Sequence, residues 1–109
     1  MIVTTDHGTI NVKKPSKVIG DRNVNSNLRY KQGRNLKFIN EDVLLVEKPS
    51  EYHLPQQNVS TKYIFAKEDM YFVYQNNYNQ FVQYFKDTFQ HGGVSLEEIL
   101  IPIVTLEAK

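Results

Sequence analysis

Every apolar run in this chain is short. Residues 43–46 are apolar, and Pro49 and Pro55 follow them. Residues 62–66 and 70–75 are aromatic and β-branched, and charged residues part them. Helical spacing shows in Phe81, Val82, Phe85 and Phe89. Such a chain builds a mixture of short strands and short helices. No run approaches the roughly 20 apolar residues of a membrane span, and the N-terminus lacks a signal-peptide pattern. At 109 residues it holds one domain's worth of sequence at most. The core it can bury is modest.

Residues 1–5 predict a strand, ended by the polar triplet Asp6-His7-Gly8. So abrupt a start implies a chain that begins inside a larger domain. Residues 9–12 predict a second short strand. Residues 13–27 read as a loop, with Pro15, Gly20 and an Asn/Ser-rich stretch over 23–27. Residues 28–37 lack a clear period, and Gly33 interrupts any helix there. Residues 43–46 predict a strand and residues 48–60 a loop. Lys67-Glu68-Asp69 between two β-rich runs predicts a hairpin. Residues 79–89 predict an amphipathic helix, stopped by Gln90-His91-Gly92-Gly93. Ser95-Leu96-Glu97-Glu98 is a capping box for a short second helix that ends near Pro102. Residues 103–107 predict a closing strand.

Formal charge is +1, so the overall balance is silent about partners. Its distribution is uneven. Eight of the thirteen Lys/Arg are Lys13, Lys14, Lys17, Arg22, Arg29, Lys31, Arg34 and Lys37, and Asp21 is the acid among them. Arg29, Lys31 and Arg34, with Tyr30 between, are candidates to hold phosphates; the alternative is a solvated loop balancing an acidic remainder. Tyr63, Tyr71, Phe72, Tyr74, Tyr78, Tyr84 and Phe85 could stack bases, but strand and helix spacing makes most of them core. The absence of Cys removes disulfides and thiolate metal sites and suits a cytoplasmic protein.

Asp6 and His7 follow a strand directly, and ligands bind at such C-terminal strand edges in open α/β sheets. Both side chains are zinc ligand types. Taken alone, an Asp-His pair there is more often a turn with a side-chain hydrogen bond. His91 precedes Gly92-Gly93, where, taken alone, a helix C-cap feature is the more usual explanation. His53, in a Pro-flanked loop, reads as surface.

Together these signals form a pattern. Thr4-Thr5-Asp6-His7-Gly8 resembles the Asp-His-Gly metal motif of the alkaline-phosphatase superfamily. Residues 86–102, which hold His91, Gly92, Gly93 and the capping box, closely resemble the corresponding segment of PglZ domains, as in PorX-type two-component response regulators. Residues 27–36 resemble a PglZ stretch as well. The resemblance covers essentially the whole chain, and its 87–102 portion is the specific part.

The resemblance implies that residues 1–109 are the C-terminal portion of an α/β, alkaline-phosphatase-like domain, α+β when taken by itself. It implies a two-zinc site hydrolysing a phosphoester or nucleotide, with an upstream receiver domain. Asp6 and His7 would ligate one metal and His91 the other. The family's nucleophile and its remaining Asp and His ligands lie upstream of the Asp-His-Gly strand and have no counterpart here. The chain alone is therefore expected to bind zinc weakly, to be inactive, and to expose strand edges able to pair with a second copy. Two other readings stand beside this one. A nucleotide- or nucleic-acid-binding module would show salt-dependent, metal-free binding. A signalling interaction domain would keep its function without Asp6 or His91.

Overall fold

The computed structural model describes residues 1–21 and 24–109. Arg22 and Asn23, part of the basic segment and the Asn/Ser-rich stretch, lie outside the described residues. Among the described residues, nine short strands and two α-helices give an α+β chain. The strands are β1 Ile2–Thr4, β2 Ile10–Asn11, β3 Lys14–Val18, β4 Tyr30–Gly33, β5 Val43–Val46, β6 Lys62–Ala66, β7 Met70–Tyr74, β8 Phe89–Gln90 and β9 Ile103–Thr105. The helices are α1 Tyr78–Phe85 and α2 Leu96–Ile99.

β7 is the centre. Alternate side chains of a strand point to opposite faces, and in β7 both faces are covered. Phe72 joins Val18, Val43, Ile64 and Ala66 in one cluster. Tyr71 and Val73 join Ile10 and Val12 in a second, closed by Val82 and Phe85 of α1. The Tyr71 hydroxyl donates to the Val82 carbonyl at 2.8 Å, so α1 is held by a polar bond as well as by its apolar face.

β3 runs parallel to β7, within the stretch expected to be loop. Its composition hides it. Lys14 and Lys17 face solvent, while Ser16 and Val18 point inward and are fully buried. Ser16 donates to Asp42 at 2.7 Å, which satisfies its hydroxyl. Pro15 fits because β3 is an edge strand, where a missing N–H costs no ladder bond.

The expected hairpin does not form, although both of its strands do. β6 lies between β4 and β5 in an antiparallel sheet, and β7 pairs with β3 instead. Residues 28 and 29 are threaded between β6 and β7. Ala66 N–H donates to the Arg29 carbonyl at 2.9 Å, and Phe72 N–H donates to the Leu28 carbonyl at 2.8 Å. These bonds replace the ones a hairpin would make. The Lys67-Glu68-Asp69 turn still closes, with Glu68 at φ 48° and Met70 N–H donating to the Lys67 carbonyl.

α1 stops at Phe85, short of the expected 89. Asp87 takes φ 61° and its N–H donates to the Val12 carbonyl, while Val12 N–H donates to the Thr88 carbonyl. The chain thereby leaves the helix to form β8 against β2. Near the chain ends, β1 and β9 form a two-stranded antiparallel ribbon. All six of its residues are exposed, and among the described residues neither outer edge is paired. The molecule measures 57 × 35 × 23 Å with a radius of gyration of 16.1 Å, larger than the roughly 13 Å of a compact domain of about this length.

Phe72 is 1% exposed and Phe89 is 69% exposed. Phe72→Ala is expected to cost about 3–5 kcal/mol of stability. Phe89→Ala should change it by less than about 0.5 kcal/mol. Urea denaturation of the two variants checks both.

Candidate functional site

Asp6-His7-Gly8 leaves the end of β1, and His91-Gly92-Gly93 follows β8. The fold brings the two loops together. The His7 and His91 rings stack with centroids 3.7 Å apart and planes 14° from parallel. His7 Nδ1 lies 2.7 Å from the Gly8 carbonyl oxygen. A carbonyl only accepts, so Nδ1 carries the proton and Nε2 of the neutral ring keeps its lone pair. Asp6 Oδ1 lies 3.5 Å from that Nε2. The Asp6 side chain is almost fully exposed and His91 is exposed, so this is an open surface.

Local chemistry shapes each loop. Thr5 Oγ1 donates to the His7 carbonyl at 2.9 Å. Gly8 N–H donates to the Glu98 carbonyl at 2.8 Å. A Cβ on Gly8 would sit 2.0 Å from the Glu97 carbonyl oxygen, so this close approach of α2 admits glycine alone. In the other loop, the Asn27 amide donates to the His91 carbonyl at 3.1 Å. Gly92 has φ 106°, a conformation L side chains rarely take.

Glu98 joins the loops. Its carboxylate accepts from Gly93 N–H at 3.0 Å, Ser95 N–H at 3.0 Å and Ser95 Oγ at 2.7 Å. Ser95 and Glu98 thus complete the expected capping box. The same carboxylate accepts from Arg29 Nε at 2.8 Å and Arg29 Nη2 at 3.1 Å. Arg29 is fully buried and Glu98 is 3% exposed. Burial pushes the Glu98 carboxyl up, but the bonds from Arg29 and Ser95 outweigh it and hold it below the usual carboxylate value.

The three cations proposed to hold phosphate are not one surface. Arg29 is committed to Glu98 and to the carbonyls of Ala66 and Met70. Lys31 is 1% exposed, donates to the Asn25 carbonyl at 2.9 Å and sits over the Tyr74 ring. Arg34 remains exposed beyond the end of β4. Two of the three basic positions are therefore interior, which charge counting could not show. Conversely, the sequence pointed to Glu98 as a cap without its second partner. It gave no sign of Asn27 as the bridge to His91.

Two imidazoles and a carboxylate are donor types that zinc accepts. Their number does not close a site. Among the described residues, no group of three or more His, Cys, Asp or Glu side chains is placed to hold a metal ion. Nor does any helix of the described residues reach the length and apolarity needed to cross a membrane.

Burial lowers the Lys31 ammonium to about 8, whereas an unfolded Lys titrates near 10.4. Between those values the unfolded chain binds the extra proton, so this group's contribution to stability rises with pH. From about pH 8 to 9.5, wild type should gain stability relative to Lys31→Met. Urea unfolding across that range measures the difference.

No curated protein matches the chain. A family model described as the BREX system PglZ alkaline phosphatase-like domain matches residues 1–106. The Asp-His-Gly loop, the His-Gly-Gly loop and the capped helix between them and β9 all fall within that match, and the chain belongs to the PglZ family of alkaline phosphatase-like domains.

Proposed function

We propose that this chain is the C-terminal portion of a metal-dependent phosphoester hydrolase domain, the effector of a cytoplasmic two-component response regulator with an upstream receiver domain. Asp6, His7 and His91 are its contribution to a zinc centre. The nucleophile and the remaining ligands come from sequence outside the chain. One observation carries this reading: two histidines from opposite ends of the chain meet face to face at 3.7 Å. Rings stacked at that distance are in van der Waals contact, so donors from two separate loops reach one place. Such a centre, when complete, supplies Lewis-acid stabilisation to a phosphoryl group.

What this chain's own residues do is orient donors. The Gly8 carbonyl holds the His7 tautomer that leaves Nε2 available. The exposed apolar ribbon of β1 and β9 supports this reading, because among the described residues its outer edges are unpaired. The same edges make pairing with a second copy the expected behaviour of the chain alone. Arg29 and Lys31, being interior, do not contribute to a phosphate-binding surface, whereas Arg34 stays exposed.

Calorimetric zinc titration tests the proposal. The chain is compared with a polypeptide extended upstream by about one domain length, each with its His91→Ala form. Tight binding is expected from the longer polypeptide, weakened at least about tenfold by His91→Ala, the range seen when a ligand sphere is disturbed. The shorter chain should bind weakly. Absence of zinc binding by both would overturn the reading.

A further inference from the structure

The two histidine loops have little of their own to hold them. β1 and β9 are exposed throughout. In α2, Leu96 is 66% and Ile99 56% exposed, and Leu100 just beyond it is 66% exposed. The buried residue of that helix is Glu98. α2 therefore meets the body of the protein through a charge and not through an apolar face.

From these observations we infer that the buried Arg29–Glu98 pair is the positioning device of the candidate site, the contact that keeps His7 and His91 face to face. The inference deepens the proposed function and, for its metal readout, rests on it. Arg29 is fastened to the core, since its guanidinium donates to the carbonyls of Ala66 at the end of β6 and Met70 at the start of β7. It presents Nε and Nη2 to Glu98 in the two-pronged geometry that fixes a carboxylate's plane as well as its place. From Glu98, one path runs through the carboxylate to Gly93, two residues from His91. Another runs through its carbonyl to Gly8, next to His7. A third path reaches the His91 loop from Arg29's own neighbourhood: Asn27 Oδ1 accepts from Arg29 N–H at 2.7 Å while its amide donates to the His91 carbonyl.

Only a carboxylate can do this. Glu98 Oε1 accepts from Arg29 Nε and Gly93 N–H, and Oε2 accepts from Arg29 Nη2, Ser95 N–H and Ser95 Oγ. The partners are N–H groups and a hydroxyl that donates. An amide of the same shape would place an NH2 against N–H donors whichever way it turned. Glu98→Gln is therefore a near-isosteric change that sets donors against donors inside the protein and loosens both loops at once.

The test uses the full chain and reads ring geometry directly. The chain has three histidines, and His53 sits apart, exposed, after a 3-10 turn over Pro49–Tyr52. In wild type, proton NMR should show cross-peaks between the His7 and His91 rings. Glu98→Gln should lose them while keeping the dispersed methyl signals of the Val18 and Ile64 core. Zinc affinity measured in parallel, in the longer polypeptide where the chain alone binds too weakly, should fall at least about tenfold, the size expected when a ligand's support is removed. Ser16→Ala, which removes a part-buried polar bond elsewhere, controls for lost stability and should leave the cross-peaks and the affinity unchanged.

Cross-peaks that survive Glu98→Gln, or that vanish equally in Ser16→Ala, overturn the positioning role. Wild type without cross-peaks overturns it too. Cross-peaks that depend on Glu98 in a protein that never binds zinc uphold the positioning role and sink the metal reading, so the two fail separately. If Glu98→Gln does not fold, Ser95→Ala removes one bond to the same carboxylate and should weaken the cross-peaks. A spectrum of that variant identical to wild type overturns the inference.

Discussion

The guanidinium of Arg29 and the carboxylate of Glu98 meet in the interior, far apart in sequence, with neither side chain exposed to water beyond a few per cent. Taking two charges out of water is costly, and attraction repays the cost only when every donor and acceptor is matched. Here they are matched. Arg29 spends its remaining donors on the carbonyls of Met70 and Ala66, and Glu98 takes the N–H groups of Gly93 and Ser95. The pair thus ties a rigid, two-sided core around β7 to a periphery of short ribbons and glycine-rich loops.

That division explains the character of the candidate site. The core is made by alternation along β7, with Phe72 on one face and Tyr71 and Val73 on the other. The histidines are not part of it. They stand on loops whose glycines allow close backbone approach, at Gly8 against α2 and at Gly92 beside Asn27. They form an open surface on a fixed base. The family match over residues 1–106 places it in a group of alkaline phosphatase-like domains.

Much of this was legible in the sequence where a local rule decides the outcome. β1, β5, β6, β7 and β9 follow from short β-branched and aromatic runs, and the cap of α2 follows from Ser95 and Glu98 three residues apart. The illegible parts are those where a distant segment competes. β3 is polar on its outer face and carries a Pro, so its partner is what makes it a strand. The hairpin fails because residues 28 and 29 take the backbone positions between β6 and β7. α1 ends early because β2 captures the chain after Phe85.

By itself, the amino-acid sequence determined the inventory: short elements, the Asp-His-Gly and His-Gly-Gly motifs, and the family they belong to. These depend on residue type and near-neighbour spacing, which any extended chain displays. Tertiary structure alone decided which cations are surface and which are structural, and that His7 faces His91. Burial of Arg29 and Lys31 depends on where separate strands converge, and charge counting along a chain contains no term for that. The stacking of the two rings depends on contacts spanning most of the chain, through Arg29, Glu98 and Asn27, which exist only once the core has formed.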